Sequence, residues 1–273
     1  MAETTVSRET AYLTIADGLA TVVMNRPERR NAFTSEMVSD LTELFQLLVD
    51  DAAVRCIVLT GEGQAFSAGA DLNYMRSIKD AGEAANIADA NALAQLLELI
   101  YTHPKPVIGR VNGPAIGGGL GLVAACDIAI GKTGSKFAFS EVRLGLAPAV
   151  IAPFVVKAIG EKNARRYMLT GDLFNDETAV SIGLLYKSVT PVDLDSAVRT
   201  VTDSLFVVAP DAVAACKDLI RQVSERSLDD VQDYTAKLIA SLRAGAEGQE
   251  GMAAFLEKRD PSWRFEPSEP DED

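Results

Sequence analysis

The chain has a single histidine, His103, and only three cysteines, Cys56, Cys126 and Cys216, in 273 residues. None of them stands at metal-ligand spacing from another, so neither a zinc site nor a disulfide framework is expected. Separated thiols, odd in number and set mostly in apolar patterns, fit reduced and buried cysteines in the cytoplasm. His103 stands alone before Pro104 and reads as a helix-end residue rather than part of a catalytic pair. Cations are scarce: 26 Lys and Arg face 39 Asp and Glu, for a net charge of −13. Such a surface repels nucleic acid and anionic membrane, and neither is expected as a partner. No uncharged apolar run reaches the roughly 18 residues of a membrane span. Met1 to Glu9 has neither an apolar core nor a basic run, so no signal or transit peptide is expected.

What the chain does have is one glycine-rich stretch around which the rest is organised. Val107 to Val111 reads as a buried strand, Asn112-Gly113-Pro114 as a turn, and Gly117-Gly118-Gly119 as the opening of an apolar helix that runs to about Cys126. Glycine lets a ligand approach the backbone closely. The first N–H groups of a helix lack partners, and the dipole favours negative charge at that end. The stretch therefore suits an anion, or an oxygen becoming one. It is not a phosphate loop, because no Gly-Lys-Ser/Thr follows. Gly119-Leu-Gly121-Leu-Val-Ala124 fits the dinucleotide pattern G-x-G-x-x-A, but Gly119 sits eight residues past the strand instead of directly behind it. A close-packed strand–helix corner without ligand is the plainer alternative.

Taken in order, Tyr12–Ile15 and Leu19–Met24 flank Asp17-Gly18 as a hairpin. A polar loop with Arg26, Arg29 and Arg30 precedes a helix from about Ser35, capped by Thr34 or Ser35. Val54–Thr60 is a strand, and a small-residue loop leads to Asp71–Met75; residues 76–86 are polar and expected to be mobile. A long helix spans about Ile87 to Tyr101. After the glycine stretch come strands at Asp127–Ile130 and Phe137–Ser140, a loop from Glu141 to Pro148, and helices over Val150–Ile159 and Glu161–Thr170. Ser181–Leu185 is a helical turn and Tyr186–Thr190 a strand; from Leu194 to about Lys258 the pattern is helical, broken near Pro210 and Arg226-Ser227. The recurring strand, loop and helix predict an α/β spiral of ββα units over residues 8–200. The helices of 201–260 have no strands to cover and are expected to form an assembly surface. Residues 261–273 read as a disordered acidic tail.

Five segments carry a resemblance. Ala65-Phe-Ser-Ala-Gly-Ala-Asp-Leu72 and Val111-Asn-Gly-Pro-Ala-Ile-Gly-Gly-Gly119 look like the signature loops of the crotonase (enoyl-CoA hydratase/isomerase) family. Asn25-Arg-Pro with Asn31-Ala32, Phe139-Ser-Glu141 with Leu144-Gly-Leu-Ala-Pro148, and Gly251 to Arg259 resemble its N-terminal loop, its catalytic-glutamate loop and its C-terminal helix. The likeness runs in order from about residue 10 to 260. It implies a crotonase-like spiral followed by a helical trimerisation region, and so a homotrimer or a dimer of trimers. It implies an acyl-CoA thioester as substrate, in lipid metabolism, with no separate cofactor, since coenzyme A is part of the substrate. It also implies an enolate-like intermediate whose oxygen meets the N–H groups of Ala70 and Gly118. Ala68, Asp71, Leu72 and Gly117 would lie against the coenzyme, and Arg26, Arg29 and Arg30 against its phosphates. Phe255 and Lys258 match positions that reach a neighbouring subunit's coenzyme in relatives.

One position departs from the pattern. Typical enoyl-CoA hydratases carry a second glutamate three residues past the middle glycine; here that residue is Gly121. Glu141 matches the other one, and its neighbours Val142, Leu144 and Leu146 suit a raised pKa and proton transfer. One carboxylate suffices to move a proton from Cα to Cγ, which is double-bond isomerisation. Yet the run Ser140 to Gly160, and Gly-Gly-Gly-Leu-Gly-Leu before it, resemble the branch that hydrates methylglutaconyl- and isohexenylglutaconyl-type thioesters. The expectation is therefore hydration of a 2-enoyl-CoA with Glu141 as acid and base. Isomerisation of a 3-enoyl-CoA, and a weakly active thioester-binding protein, are the alternatives.

Overall fold

The computed structural model describes residues 3–78, 81–224 and 226–264. Seven strands form one sheet: β1 (Thr4–Ser7), β2 (Ala11–Ala16), β3 (Leu19–Met24), β4 (Cys56–Gly61), β5 (Val107–Val111), β7 (Ile128–Lys132) and β10 (Lys187–Val189), side by side in that order. β1, β2 and β3 pair antiparallel, the hairpin turning at Asp17-Gly18, where both residues have positive φ. From β3 onward the pairs are parallel. A second sheet of three short strands, β6 (Ala115–Ile116), β8 (Lys136–Ala138) and β9 (Phe174–Asn175), stands beside it. Together these make an α/β spiral of strands and helices, as the resemblance implied.

Helices cover the large sheet on both faces. On one face α1 (Ser35–Val49), α3 (Glu83–Thr102), α4 (Gly118–Ala125) and α5 (Ala152–Met168) enclose the main core, with Leu41, Phe45, Leu97, Leu120 and Phe137 fully buried. Thr34 caps α1, its Oγ1 accepting the Met37 N–H at 3.3 Å. The helices expected over Val150–Ile159 and Glu161–Thr170 form one stretch bent at Gly160, whose φ of 73° breaks the helical path. On the other face α7 (Leu194–Phe206) lays Leu194, Ala197, Val198 and Phe206 on Cys56, Val58, Ile108 and Ile130. α7 therefore does have strands to cover, and the boundary expected at residue 200 falls inside it.

Of the segment 76–86 expected to be mobile, residues 76–77 end α2 (Leu72–Ser77), which is capped by Asp71, and residues 83–86 open α3. β1, β9 and α6 (Asp176–Ser181) were not anticipated; the helical turn lies at 176–181 rather than 181–185. Beyond α7, α8 (Pro210–Ser224), α9 (Leu228–Ala244) and α10 (Ala246–Glu257) bury very little: no residue of α8, only Val231 of α9 and only Ala254 of α10. α8 stands over a cavity of about 740 Å³ walled by Tyr101, Phe154 and Ile220. Of the three thiols, Cys56 is buried in β4, Cys126 closes α4, and Cys216 is exposed on α8. The acidic tail expected from 261 lies outside the described residues beyond Arg264.

Candidate active site

The loop after β4 and the loop after β5 meet at the start of α4. Isolated parallel bridges join Ser67 to Ala115 and Phe33 to Ala70. The approach is so close that side chains are excluded from it. A Cβ on Gly69 would stand 2.6 Å from the Ile116 carbonyl oxygen and 3.3 Å from the Gly118 nitrogen. One on Gly119 would stand 2.8 Å from the Ser67 oxygen, and one on Gly118 3.0 Å from the Phe33 ring. Real Cβ atoms essentially never come within 3.0 Å, so Gly69 and Gly119 are a steric requirement, while a side chain at Gly118 would need the Phe33 ring to give way. Ala70 is exposed and Gly118 half-buried, and neither backbone N–H has an acceptor among the described residues. Two free N–H groups thus stand side by side at a helix N-terminus, an arrangement that stabilises a developing oxyanion.

Glu141 completes the cluster. It sits in a 3-10 turn (Ser140–Leu144) directly behind β8, and a Cβ on Gly117 would lie 3.0 Å from its Oε1. Its Oε2 is buried with no hydrogen-bond partner. Burial raises its carboxyl above the ordinary range, opposed in part by a hydrogen bond to its own backbone. A half-desolvated carboxyl with one free oxygen can exchange a proton with whatever enters beside Gly117.

Position 121 is filled from outside. A Cβ there would clash with Ile151 Cγ2, stand 3.0 Å from Ile151 Cβ and 3.3 Å from Leu97 Cδ1. The wall one turn into α4, where the family pattern has its second acid, is buried hydrocarbon. Ile151, Leu97 and Phe33 were missed as site-shaping residues. The available signal was a glycine on an otherwise bulky apolar helix, which implies that something else occupies its side-chain space.

The N-terminal loop is stitched to this site by hydrogen bonds. Asn31, fully buried at φ 54°, donates to the carbonyls of Glu62 at 3.0 Å and Ala65 at 2.9 Å, and Ser67 Oγ donates to the Asn31 carbonyl at 2.9 Å. The Ala68 N–H donates to the Arg30 carbonyl at 2.9 Å. Of the three arginines proposed for phosphate, Arg26 is already engaged: Nη1 donates to the Ala32 carbonyl at 2.6 Å and Nη2 pairs with Asp71 Oδ2 at 3.2 Å. Arg29 and Arg30 are exposed at the rim. Burial opposes charge on Asp71, but two backbone N–H donors and the Arg26 guanidinium outweigh it and hold the carboxyl below its ordinary range. Leu72 is exposed beside it.

Phe255, on α10, and Lys258, which ends it, are exposed and are not brought to the site within one chain. The C-terminal segment turns back instead to Arg55, whose guanidinium donates to the Trp263 and Val208 carbonyls at 2.9 and 2.6 Å. His103 is buried against Phe45. Burial, with Lys217 and Lys105 nearby, pushes its pKa down to about 4, so it is a neutral packing residue away from Glu141. Among the described residues no cluster of His, Cys, Asp and Glu could hold a metal ion. No described helix is long and apolar enough to cross a membrane.

A family model described as enoyl-CoA hydratase/isomerase matches residues 14–266. The chain belongs to the enoyl-CoA hydratase/isomerase family. It is 35% identical over 243 residues to a putative enoyl-CoA hydratase of Thermus thermophilus, covering 89% of this chain and 96% of that one. It is 31% identical to the crotonyl-CoA hydratase of Syntrophomonas wolfei, over 92% and 96% of the two chains. The crystal structure of an enoyl-CoA hydratase from Shewanella pealeana superposes with a TM-score of 0.90 at 38% identity, over 93% and 96%. The chain is thus an enzyme of the enoyl-CoA hydratase/isomerase family whose glycine corner, paired free N–H groups and half-buried glutamate lie together.

Proposed function

We propose that this enzyme adds water across the double bond of a 2-enoyl-CoA thioester. The observation that carries the reading is Glu141: a buried carboxyl with one unpartnered oxygen, beside a helix start with two free N–H groups. Glu141 takes a proton from water as the water oxygen bonds to Cβ. The electron pair of the Cα–Cβ bond shifts to give an enolate, whose oxygen rests on the N–H groups of Ala70 and Gly118. The protonated Glu141 then returns the proton to Cα, so one group serves as base and acid. The coenzyme runs out along Ala68, Asp71, Leu72 and Gly117, with Arg29 and Arg30 toward its phosphates. Phe255 and Lys258 serve the coenzyme of a second copy in a homotrimer or a dimer of trimers, and the enzyme works in the cytoplasm without a further cofactor.

The apolar filling at Gly121 favours a second reading. With Ile151 where another acid would stand, Glu141 can carry a proton from Cα to Cγ alone, which is 3-enoyl to 2-enoyl isomerisation. Absorbance of the enoyl thioester separates the two. Crotonyl-CoA or 3-methylglutaconyl-CoA losing absorbance with the wild type, and not with Glu141→Gln, supports hydration. A 3-enoyl-CoA gaining it supports isomerisation. Neither change, together with a melting shift on adding thioester, leaves a binding protein. Hydration undiminished in Glu141→Gln would overturn the assignment of the acid–base group.

A further inference from the structure

Arg26 belongs by its place in the sequence to a basic loop, and by its contacts to a different task. Its guanidinium is mostly covered, with 18% of the side chain exposed against 10% for that of Asp71. It bridges two points on either side of the loop that delivers Ala70. One arm holds the Ala32 carbonyl at 2.6 Å; the other holds Asp71 Oδ2 at 3.2 Å. Between those points run the two hydrogen bonds that fix Ala70's backbone: the Phe33 N–H to the Gly69 carbonyl at 2.7 Å, and the Asp71 N–H to the Phe33 carbonyl at 2.9 Å. Asp71 also caps α2, its Oδ1 accepting the N–H groups of Asn73 at 2.9 Å and Tyr74 at 3.3 Å. The Arg26 N–H itself donates to Asn31 Oδ1 at 2.9 Å. One donor on each Nη of Arg26 is therefore spent on a protein group.

We propose that Arg26, acting through Asp71 and the Ala32 carbonyl, is the positioning residue for the Ala70 N–H and is not a ligand of the coenzyme phosphates. Arginine suits this because its planar fork can satisfy two acceptors at once in fixed geometry, which a lysine cannot. The bridge closes the Phe33–Ala70 ladder from outside and sets the direction of the donor; Gly118, on α4, has no such support and does not depend on it. The proposal rests on Ala70 being an oxyanion donor, as in the proposed function.

The test compares Arg26→Gln, Arg26→Lys and Asp71→Asn with the wild type. Asp71→Asn removes the charge partner while keeping an oxygen that can cap α2, so it serves if Arg26→Gln folds poorly. Three readouts separate the ideas. Hydrogen exchange of residues 67–74 is expected to quicken at least tenfold in Arg26→Gln and Asp71→Asn, with residues 107–121 unchanged. This readout needs no turnover, so it stands even if the proposed reaction is wrong. Turnover of the thioester is expected to fall about 10- to 100-fold in kcat, short of the loss for deleting a donor outright. Affinity of Arg26→Gln for free coenzyme A, which has no thioester oxygen, is expected to hold within about twofold, and Arg26→Lys to recover only part of kcat. Unchanged exchange at 67–74 would overturn the proposal. So would a loss that falls on coenzyme affinity and steepens with salt, which makes Arg26 a phosphate ligand. A lowered melting temperature with kcat intact would reduce it to a structural residue and overturn it equally.

Discussion

Ala70 and Gly118 stand next to each other, yet the chain fixes them by opposite means. Ala70 lies on a loop held by polar links: Asn31, Ser67, Arg26, Asp71 and the bridge to Phe33. Gly118 lies on a helix held by close contact, with glycines at 117, 118, 119 and 121 pressed against Glu141, Phe33, Ser67 and Ile151. A polar lock is directional and can be loosened by removing one charge. A steric lock is set by volume and fails when a methyl group is added. The comparison also explains the environment of Glu141: it sits on the steric side, where few polar groups are left to satisfy it.

The largest expected effect removes the group that this dry side serves. Glu141→Gln is expected to cost about 10²- to 10⁴-fold in kcat, the usual range for a lost acid–base group. Steady-state kinetics on the thioester the wild type turns over checks it. Next comes the steric lock itself. Gly119→Ala is expected to lower stability by about 1–3 kcal/mol, because the new methyl meets the Ser67 backbone. Chemical denaturation reads that loss, and kcat should fall with it. A Gly119→Ala protein as stable and active as the wild type would show that the contact has slack and would erase the distinction between the two locks.

Much of the steric side was legible in the sequence, because glycines, a buried strand and a capped helix are local signals. Val107–Val111, the Thr34 cap and the glycine triplet fall where their residue types put them. The polar side was legible only as a set of loops. Arg26 and Asp71 are 45 residues apart, and nothing in either neighbourhood announces the other. Ile151 lies 30 positions from the glycine it covers, and its packing is fixed by how α5 leaves the Glu141 turn. The end of α7 falls in the stretch expected for assembly, because its stripe matches any apolar face. Only the tertiary arrangement reveals that the face is that of the sheet.

The filled wall at Gly121 gives a sharper probe of intermediate size. Gly121→Glu alone is expected to destabilise by about 1–3 kcal/mol through overpacking. Combined with Ile151→Gly, most of that loss should return, as denaturation midpoints would show. If the single variant is as stable as the wild type, Ile151 does not own that space. The smallest effects concern pH. Glu141 must be ionised to act as base, and its carboxyl is raised above the ordinary 4.5. The acid limb of kcat/KM should therefore lie above 4.5, activity falling as pH drops through it. The stability sign is the reverse. A raised acid favours the folded state while protonated and loses that contribution as pH rises through the folded pKa. At neutral pH Glu141→Gln should thus melt higher than the wild type, as thermal denaturation would show. A variant that is inactive and less stable would mean that the Glu141 carboxylate is satisfied in the fold, contrary to its unpartnered oxygen.

The uneven burial of the cysteines makes the enzyme a ready-made spectroscopic sample. Burial pushes the Cys56 thiol up to about 12 and raises Cys126 as well, so neither offers a thiolate near neutral pH. Cys216 is exposed on α8, at the mouth of the cavity and on the region with least of its surface covered. A maleimide dye therefore marks one site per native chain without mutagenesis. Its emission reports whether that helix faces water or another surface, while the two silent thiols become countable only when the core opens.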